Sequence, residues 1–202
     1  MTSIVVVGED ALCCSLGESL VAQCLPGWTL PLAPIDTRGV TKLRASLPRY
    51  HGQLVHLYPV LCVADTDRAC AVEMRAKWLP SGAHQNFLLR LAVCEADAWV
   101  LADRVGFAKA FGVSLATVPR EPEALADAKR EVLRLAVRSS KRVIREEVPA
   151  VDEATRPGSG YNHHLCTFVR ETWNAANAAQ HAPSLARAIN ALKRLGKPRI
   201  EG

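Results

Sequence analysis

Aromatic residues make up only 5% of the 202 residues, methionine occurs twice, and no apolar run reaches the roughly 18 residues of a membrane span. No internal repeat or low-complexity segment is present, so a solenoid and a disordered tract are both excluded. The opening Met1-Thr2-Ser3-Ile4 lacks the basic and long apolar regions of a secretory signal, so a cytoplasmic location is expected. The seven cysteines, Cys13, Cys14, Cys24, Cys62, Cys70, Cys94 and Cys166, are odd in number and contain no C-x-x-C pair. Reduced core thiols are the expectation, and a zinc site would have to be built on His163, His164 and Cys166.

What remains is ordinary for a packed protein: 49% hydrophobic and 22% charged residues, with a formal net charge of +5. The basic excess is compatible with a nucleic-acid partner. Arg130, Arg134, Arg138 and Arg142 recur every fourth position, beside Lys129, Lys141 and Arg145. On one helix running from Pro122 to about Glu146 they form a stripe able to follow a phosphate backbone. The alternative is the solvated face of an amphipathic helix whose other side carries Leu125, Val132, Leu135 and Ala136.

Short β-branched runs read as buried strands. Ile4 to Val7 forms the first, and the stretch Ala11 to Cys24 reads as a helix closed by Pro26-Gly27. Trp28 to Leu32 is a candidate second strand, and residues 34–52 a loop and helix. Pro59 to Val63 is the next strand, followed by a helix from about Arg68 to Trp78 that Pro80-Ser81-Gly82 breaks. Asn86 to Val93 is apolar enough for a central strand. The loop Val148 to Gly160 is a hinge candidate ahead of helices at about Tyr161 to Ala176 and Pro183 to Leu195, with a basic tail from Lys193 to Arg199. The fold class expected is α/β with a mainly parallel sheet in residues 1–120 and a helical C-terminal part in residues 121–202 packed on it.

Each strand ends in acid: Glu9 and Asp10, then Asp65 and Asp67, then Glu95 with Asp97 and Asp103 behind it. In an open parallel sheet ligands bind outside the carboxyl ends of the strands, so these side chains are expected to converge. Hard oxygen ligands suit Mg2+ or Mn2+, which polarises a phosphoryl oxygen and activates water. Glu9, Asp65, Asp67 and Glu95 are the candidate metal ligands. The competing structural roles are capping or salt bridging for Glu9 and capping of the helix near Arg68 for Asp67. Asp97 and Asp103 are expected to face solvent, and Trp99 to be core. Of His163 and His164, at most one can face a site, His164 being the candidate proton shuttle.

The placement of Glu9 and of Asp65-Thr66-Asp67 resembles the Toprim family, whose pattern is a glutamate after the first strand and an Asp-x-Asp pair after a later one. The stretch Glu95-Ala96-Asp97-Ala98-Trp99-Val100-Leu101-Ala102-Asp103 is similar to the Glu-x-x-x-Trp-x-x-x-Asp segment of a small bacterial Toprim-like branch. The likeness extends through Tyr161 and Pro183-Ser184-Leu185 to most of the chain. The resemblance implies a Rossmann-like Toprim core and Mg2+-dependent phosphodiester chemistry, with Glu9 as general acid/base or ligand and Asp65 and Asp67 as ligands, all three counted as catalytic. Glu95 would complete the site. It also implies DNA or RNA as substrate and an AAA or SMC-like ATPase partner in anti-phage defence, with no membrane and self-association left open. Hydrolysis is expected over transesterification, because no context marks Tyr50, Tyr58 or Tyr161. Histidine stands at Tyr161-Asn162-His163-His164, where related nucleases place a charge-balancing lysine.

Three alternatives compete. A haloacid-dehalogenase-type phosphotransferase would use Asp65 as nucleophile, but that motif usually opens the first strand. A receiver domain would use Glu9-Asp10 and phosphorylate Asp65, but lacks the expected downstream lysine. A non-catalytic subunit would keep the fold and bind an ATPase through the helical part.

Overall fold

The computed structural model describes residues 2–79 and 82–197. Pro80 and Ser81 of the expected helix breaker, and Pro198 and Arg199 of the basic tail, lie outside the described residues.

Four parallel strands form one sheet in the order β2-β1-β3-β4: β1 (Val5–Gly8), β2 (Ile35–Asp36), β3 (Val60–Asp65) and β4 (Phe87–Ala92). Gly8 pairs with Val63 and Val63 with Arg90, so the strands end side by side. Alternation along the strands divides the apolar residues between two faces. Val5, Val7, Val60, Cys62, Ala64, Leu89 and Leu91 face one core, completed by Leu43, Leu47 and Tyr50 of helix α2 (Val40–Gly52) and Met74 of α3 (Ala71–Trp78). Val6, Leu61, Val63, Leu88 and Ala92 face the larger core.

Helix α1 (Ala11–Cys24) lies on that larger face. A Cβ at Gly8 would come within 2.5 Å of the Cys14 amide, so the absence of a side chain lets α1 begin directly at the strand end. The remaining helices join the same core: α4 (Ala96–Ala102), α5 (Arg104–Phe111), α6 (Ala128–Val137), α7 (Arg142–Glu147), α8 (Tyr161–Glu171), α9 (Ala175–Ala178) and α10 (Pro183–Leu195). Residues from both sides of position 120 therefore share one core. Trp99 is fully buried at its centre; its Nε1 donates to Ser184 Oγ at 2.7 Å, and its carbonyl accepts from Trp173 Nε1 at 3.0 Å.

The single helix expected over Pro122 to Glu146 is not formed. Residues Pro122–Ala124 make one 3-10 turn, α6 begins after its cap Asp127, and Val137 ends it. The break has a local cause. Ser139 Oγ donates to Phe111 O, and the Ser140 amide and hydroxyl both reach Gly112 O, so this pair satisfies the carbonyl end of α5 instead of continuing a helix.

Trp28 to Leu32 is likewise not a strand: it holds one isolated bridge, Ser3 with Thr29, and Ile35–Asp36 takes the edge. Helix α3 starts at Ala71, not Arg68, and α8 ends at Glu171. The loop at 148–160 is tied across its base, with Gly158 N donating to Val148 O and Ala150 N to Arg156 O, both at 2.8 Å. No helix of the described residues is long and apolar enough to cross a membrane.

Candidate functional site

Glu9 and Asp65 meet where β1 and β3 end. Hydrogen bonding between neighbouring strands carries Glu9 N to Val63 O at 3.0 Å, and the Glu9 carboxylate turns back to accept the Asp65 amide at 3.2 Å. Asp65 Oδ1 accepts the Ala96 amide, at the start of α4, at 2.8 Å and the more distant Cys13 thiol at 3.7 Å. Glu9 therefore does not cap α1. Asp10 does, accepting the Cys13 amide at 2.8 Å.

These carboxyls are crowded by burial and by one another. Burial, then the charges of Asp10, Asp97 and Glu9, push Asp65 up to about 8 despite the Ala96 hydrogen bond. Glu9 is also raised, chiefly by burial, against the lowering effect of the Asp65 amide and the charge of Lys129. Asp97 is pushed up to about 6 by burial, and the Tyr161 hydroxyl donates to it. Carboxyls perturbed by burial and by one another at a strand end mark a candidate functional site.

Lys129 supplies one positive charge. In the sequence it stands beside the arginine stripe; on α6 it is half-buried. Burial works to lower its pKa, yet Asp97, Glu95, Asp65 and Asp10 outweigh that and raise it. The signal available in the sequence was position: Asp127 caps α6, so Lys129 falls in its first turn, and Glu95 Oε2 accepts the Lys129 backbone amide at 2.9 Å. That bond occupies one oxygen of Glu95 with the helix start.

Asp67 is exposed, on a turn in which it and Arg68 have φ of 46° and 67°, and its charge also raises Glu9. Cys94 on the neighbouring crossover has φ of 62°. Non-glycine residues in the left-handed region carry strain, and three of them flank this sheet edge. Backbone hydrogen bonds hold the turn in place, Thr66 N donating to Ala92 O and Asp67 N to Cys94 O, both at 3.1 Å. Asp67 does not cap α3, whose cap is Cys70.

Asp97 and Asp103, expected in solvent, are both 2% exposed. Asp103 caps α5 through Gly106 N and accepts Asn174 N at 2.9 Å, tying α5 to the C-terminal helices. His164 pairs with Glu147 at 2.8 Å, while His163 is exposed. All seven cysteines are free.

The arginines divide where the helix breaks. Arg130, Arg134 and Arg138 line a cleft of about 610 Å³ with Arg68, Leu125 and Val137, whereas Arg142 opens α7 and lies outside it. Arg134 is held by Glu131 through Nε at 2.7 Å and Nη2 at 2.5 Å, and Arg142 by Glu146 at 2.7 Å. Arg130 and Arg138 make no ion pair among the described residues. The cleft and the acidic edge adjoin through Asp67-Arg68.

The donor set suits Mg2+ in one respect. Mg2+ keeps several waters and takes one or two protein carboxylates plus substrate phosphates, in place of an all-protein cage. Among the described residues no group of three or more His, Cys, Asp or Glu side chains is arranged to hold a metal ion. Glu9 and Asp65 offer two crowded carboxyls, with exposed Asp67 beside them, and a cation there would offset the burial and mutual repulsion that raise both. Comparison with protein-family models, with curated proteins and with solved structures finds no match.

Proposed function

We propose that this chain is a Toprim-like, Mg2+- or Mn2+-dependent phosphodiester hydrolase acting on DNA or RNA, working with an AAA or SMC-like ATPase in bacterial anti-phage defence. The observation that carries the reading is the Glu9 carboxylate on the Asp65 amide, which sets the glutamate after the first strand against the Asp-x-Asp of its neighbour. The partner and the defence role rest on the resemblance alone.

Glu9, Asp65 and Asp67 would hold the ion, and Glu95 has one oxygen committed to α6. When bound, the ion polarises the phosphoryl oxygen and makes water a better nucleophile. Glu9, with its raised pKa, is suited to take the proton of the attacking water. Lys129 stays charged at neutral pH and faces the negative charge that grows on the phosphoryl oxygens. Ion binding must displace the Asp65 proton, so metal affinity and cleavage are expected to rise with pH toward about 8 and then level off. A pH profile of rate at fixed Mn2+ checks this.

The cleft arginines provide the phosphate track. Arg130→Ala and Arg138→Ala are each expected to lower affinity for nucleic acid and reduce the slope of log K against log salt by about 1, while Arg142→Ala leaves both unchanged. Filter binding across a salt series reads the difference. The test of the activity itself is incubation of the chain, alone and with the ATPase partner, with labelled DNA and RNA in Mg2+, Mn2+ or EDTA. Metal-dependent cleavage that Glu9→Ala and Asp65→Ala both abolish supports hydrolysis. No cleavage in any combination, from folded protein that still binds the partner, favours the second reading. That reading, a non-catalytic Toprim-like subunit, draws on the engagement of Glu95 with α6 and of Arg134 and Arg142 with acidic neighbours.

A further inference from the structure

A second basic pocket lies at the other end of β4, and no part of the proposed hydrolase mechanism uses it. Its volume is about 500 Å³, and Phe87 and Leu88, the first residues of β4, form part of its wall. Order in the sheet makes β4 an edge strand, so the pocket is reached from both layers. Helix α3 contributes Arg75, and the end of α10 contributes Arg194 with Lys197 just beyond. Arg90 rises from the strand between them.

Arg90 is out of place by every packing rule. Its neighbours on the same face, Leu88 and Ala92, belong to the larger apolar core. Its Nε is buried and has no hydrogen-bond partner, and it is the one such side-chain atom among the described residues. Burial, then the charges of Arg75 and Arg194, push its guanidinium down to about 10. None of Arg75, Arg90, Arg194 and Lys197 makes an ion pair among the described residues. A buried donor left unpaired is costly, so an acceptor entering here would relieve it.

We propose that this pocket binds a polyphosphate anion, with the Arg90 guanidinium at its base and Arg75, Arg194 and Lys197 around its mouth. Four cationic groups exceed what one carboxylate neutralises, and the planar fork of arginine matches phosphate oxygens in pairs. The chemistry is shared by free polyphosphate and by the phosphate chain of a nucleoside triphosphate. Exposed surface cations alone would be solvated and carry no such meaning; the buried, unpartnered Nε of Arg90 is what distinguishes this group.

Calorimetric titration of the full chain in EDTA at low salt, with sodium tripolyphosphate, ATP and a hexaglutamate peptide, tests the proposal. Saturable one-to-one binding of tripolyphosphate is expected. Tighter binding of ATP identifies a nucleoside-borne chain, and equal binding a free polyphosphate. Arg90→Met, which keeps the stem and removes the fork, is expected to weaken binding about 10-fold or more. In the absence of ligand the same variant should melt at a higher temperature than wild type, because a buried donor without a partner is gone. Exposed Arg194→Ala should weaken binding several-fold without disturbing the fold. Glu9→Gln and Asp65→Asn should leave affinity unchanged, which separates this pocket from the hydrolase reading. The proposal is overturned if tripolyphosphate fails to saturate, if both arginine variants bind as wild type does, or if hexaglutamate binds more tightly.

Discussion

Asp65→Asn is expected to abolish metal-dependent cleavage and, at pH 8 without metal, to make the protein more stable than wild type. The two effects have one cause. In the unfolded chain an aspartate titrates near 3.9, whereas burial and the charges of Asp10, Asp97 and Glu9 push Asp65 up to about 8 in the fold. Between those values the folded state holds a proton that the unfolded state has released. Folding stability therefore falls as pH rises from about 4 to about 8, by on the order of 5 kcal/mol between the limits. Asparagine keeps the oxygen that accepts the Ala96 amide at 2.8 Å but never charges. Urea unfolding in EDTA should show wild type weakening across that range and Asp65→Asn weakening less, its remaining slope coming from the raised Glu9 and Asp97, with the two curves converging near pH 4. Cleavage should fall by on the order of 10³-fold at every pH, because the same change removes a ligand and leaves the ion poorly held. Stability gained where activity is lost is the usual trade at a site built against its own folding.

Trp99→Ala is expected to lose about 3–5 kcal/mol of stability, a large share of the 5–15 kcal/mol typical of a whole protein. The ring is fully buried in the larger core, and its Nε1 donates to Ser184 Oγ. Ser184 in turn donates to Glu123 at 2.5 Å, so the indole anchors α4, α10 and the turn at residues 122–124 together. Trp99→Phe keeps most of the packing and loses that hydrogen bond, for about 1 kcal/mol. The Ala96 amide at the head of α4 holds the Asp65 carboxylate and lowers its pKa, so loosening α4 in the alanine variant should steepen the pH dependence described above. Denaturant midpoints at pH 5 and pH 8 for both variants measure the two effects together.

The tryptophan also shows where sequence pattern is informative. Strong apolar runs and clear breakers located β1, α1, β3, β4 and α10, and with them the carboxylates at the strand ends. The β2 edge was missed because two residues, Ile35–Asp36, carry no period, while Trp28 to Leu32 has the composition of a strand without pairing as one. The arginine periodicity suggested one long helix because nothing in that pattern registers a tertiary partner. Ser139 and Ser140 break the helix by bonding to Phe111 and Gly112, nearly thirty residues earlier.

Side-chain direction was the least legible quantity at the acidic edge. Asp97 and Asp103 read as surface acids, yet Tyr161 and the amides of Gly106 and Asn174 pay for their burial with hydrogen bonds. Lys129 read as one more basic residue of a stripe, and only the start of α6 after Asp127 turns it toward the acids. Arg90 sat inside an apolar run with no sign that its guanidinium would be stranded.

Titration of the folded chain with Mn2+ at pH 8, read by the electron paramagnetic resonance of the free ion, tests the central claim most directly. The account predicts saturable loss of the free-ion signal with wild type, strengthened by added DNA or RNA, and its absence with Glu9→Gln and with Asp65→Asn. Binding that is equally tight in all three proteins, or no binding by folded wild type even with nucleic acid present, would contradict a cation site built on Glu9 and Asp65.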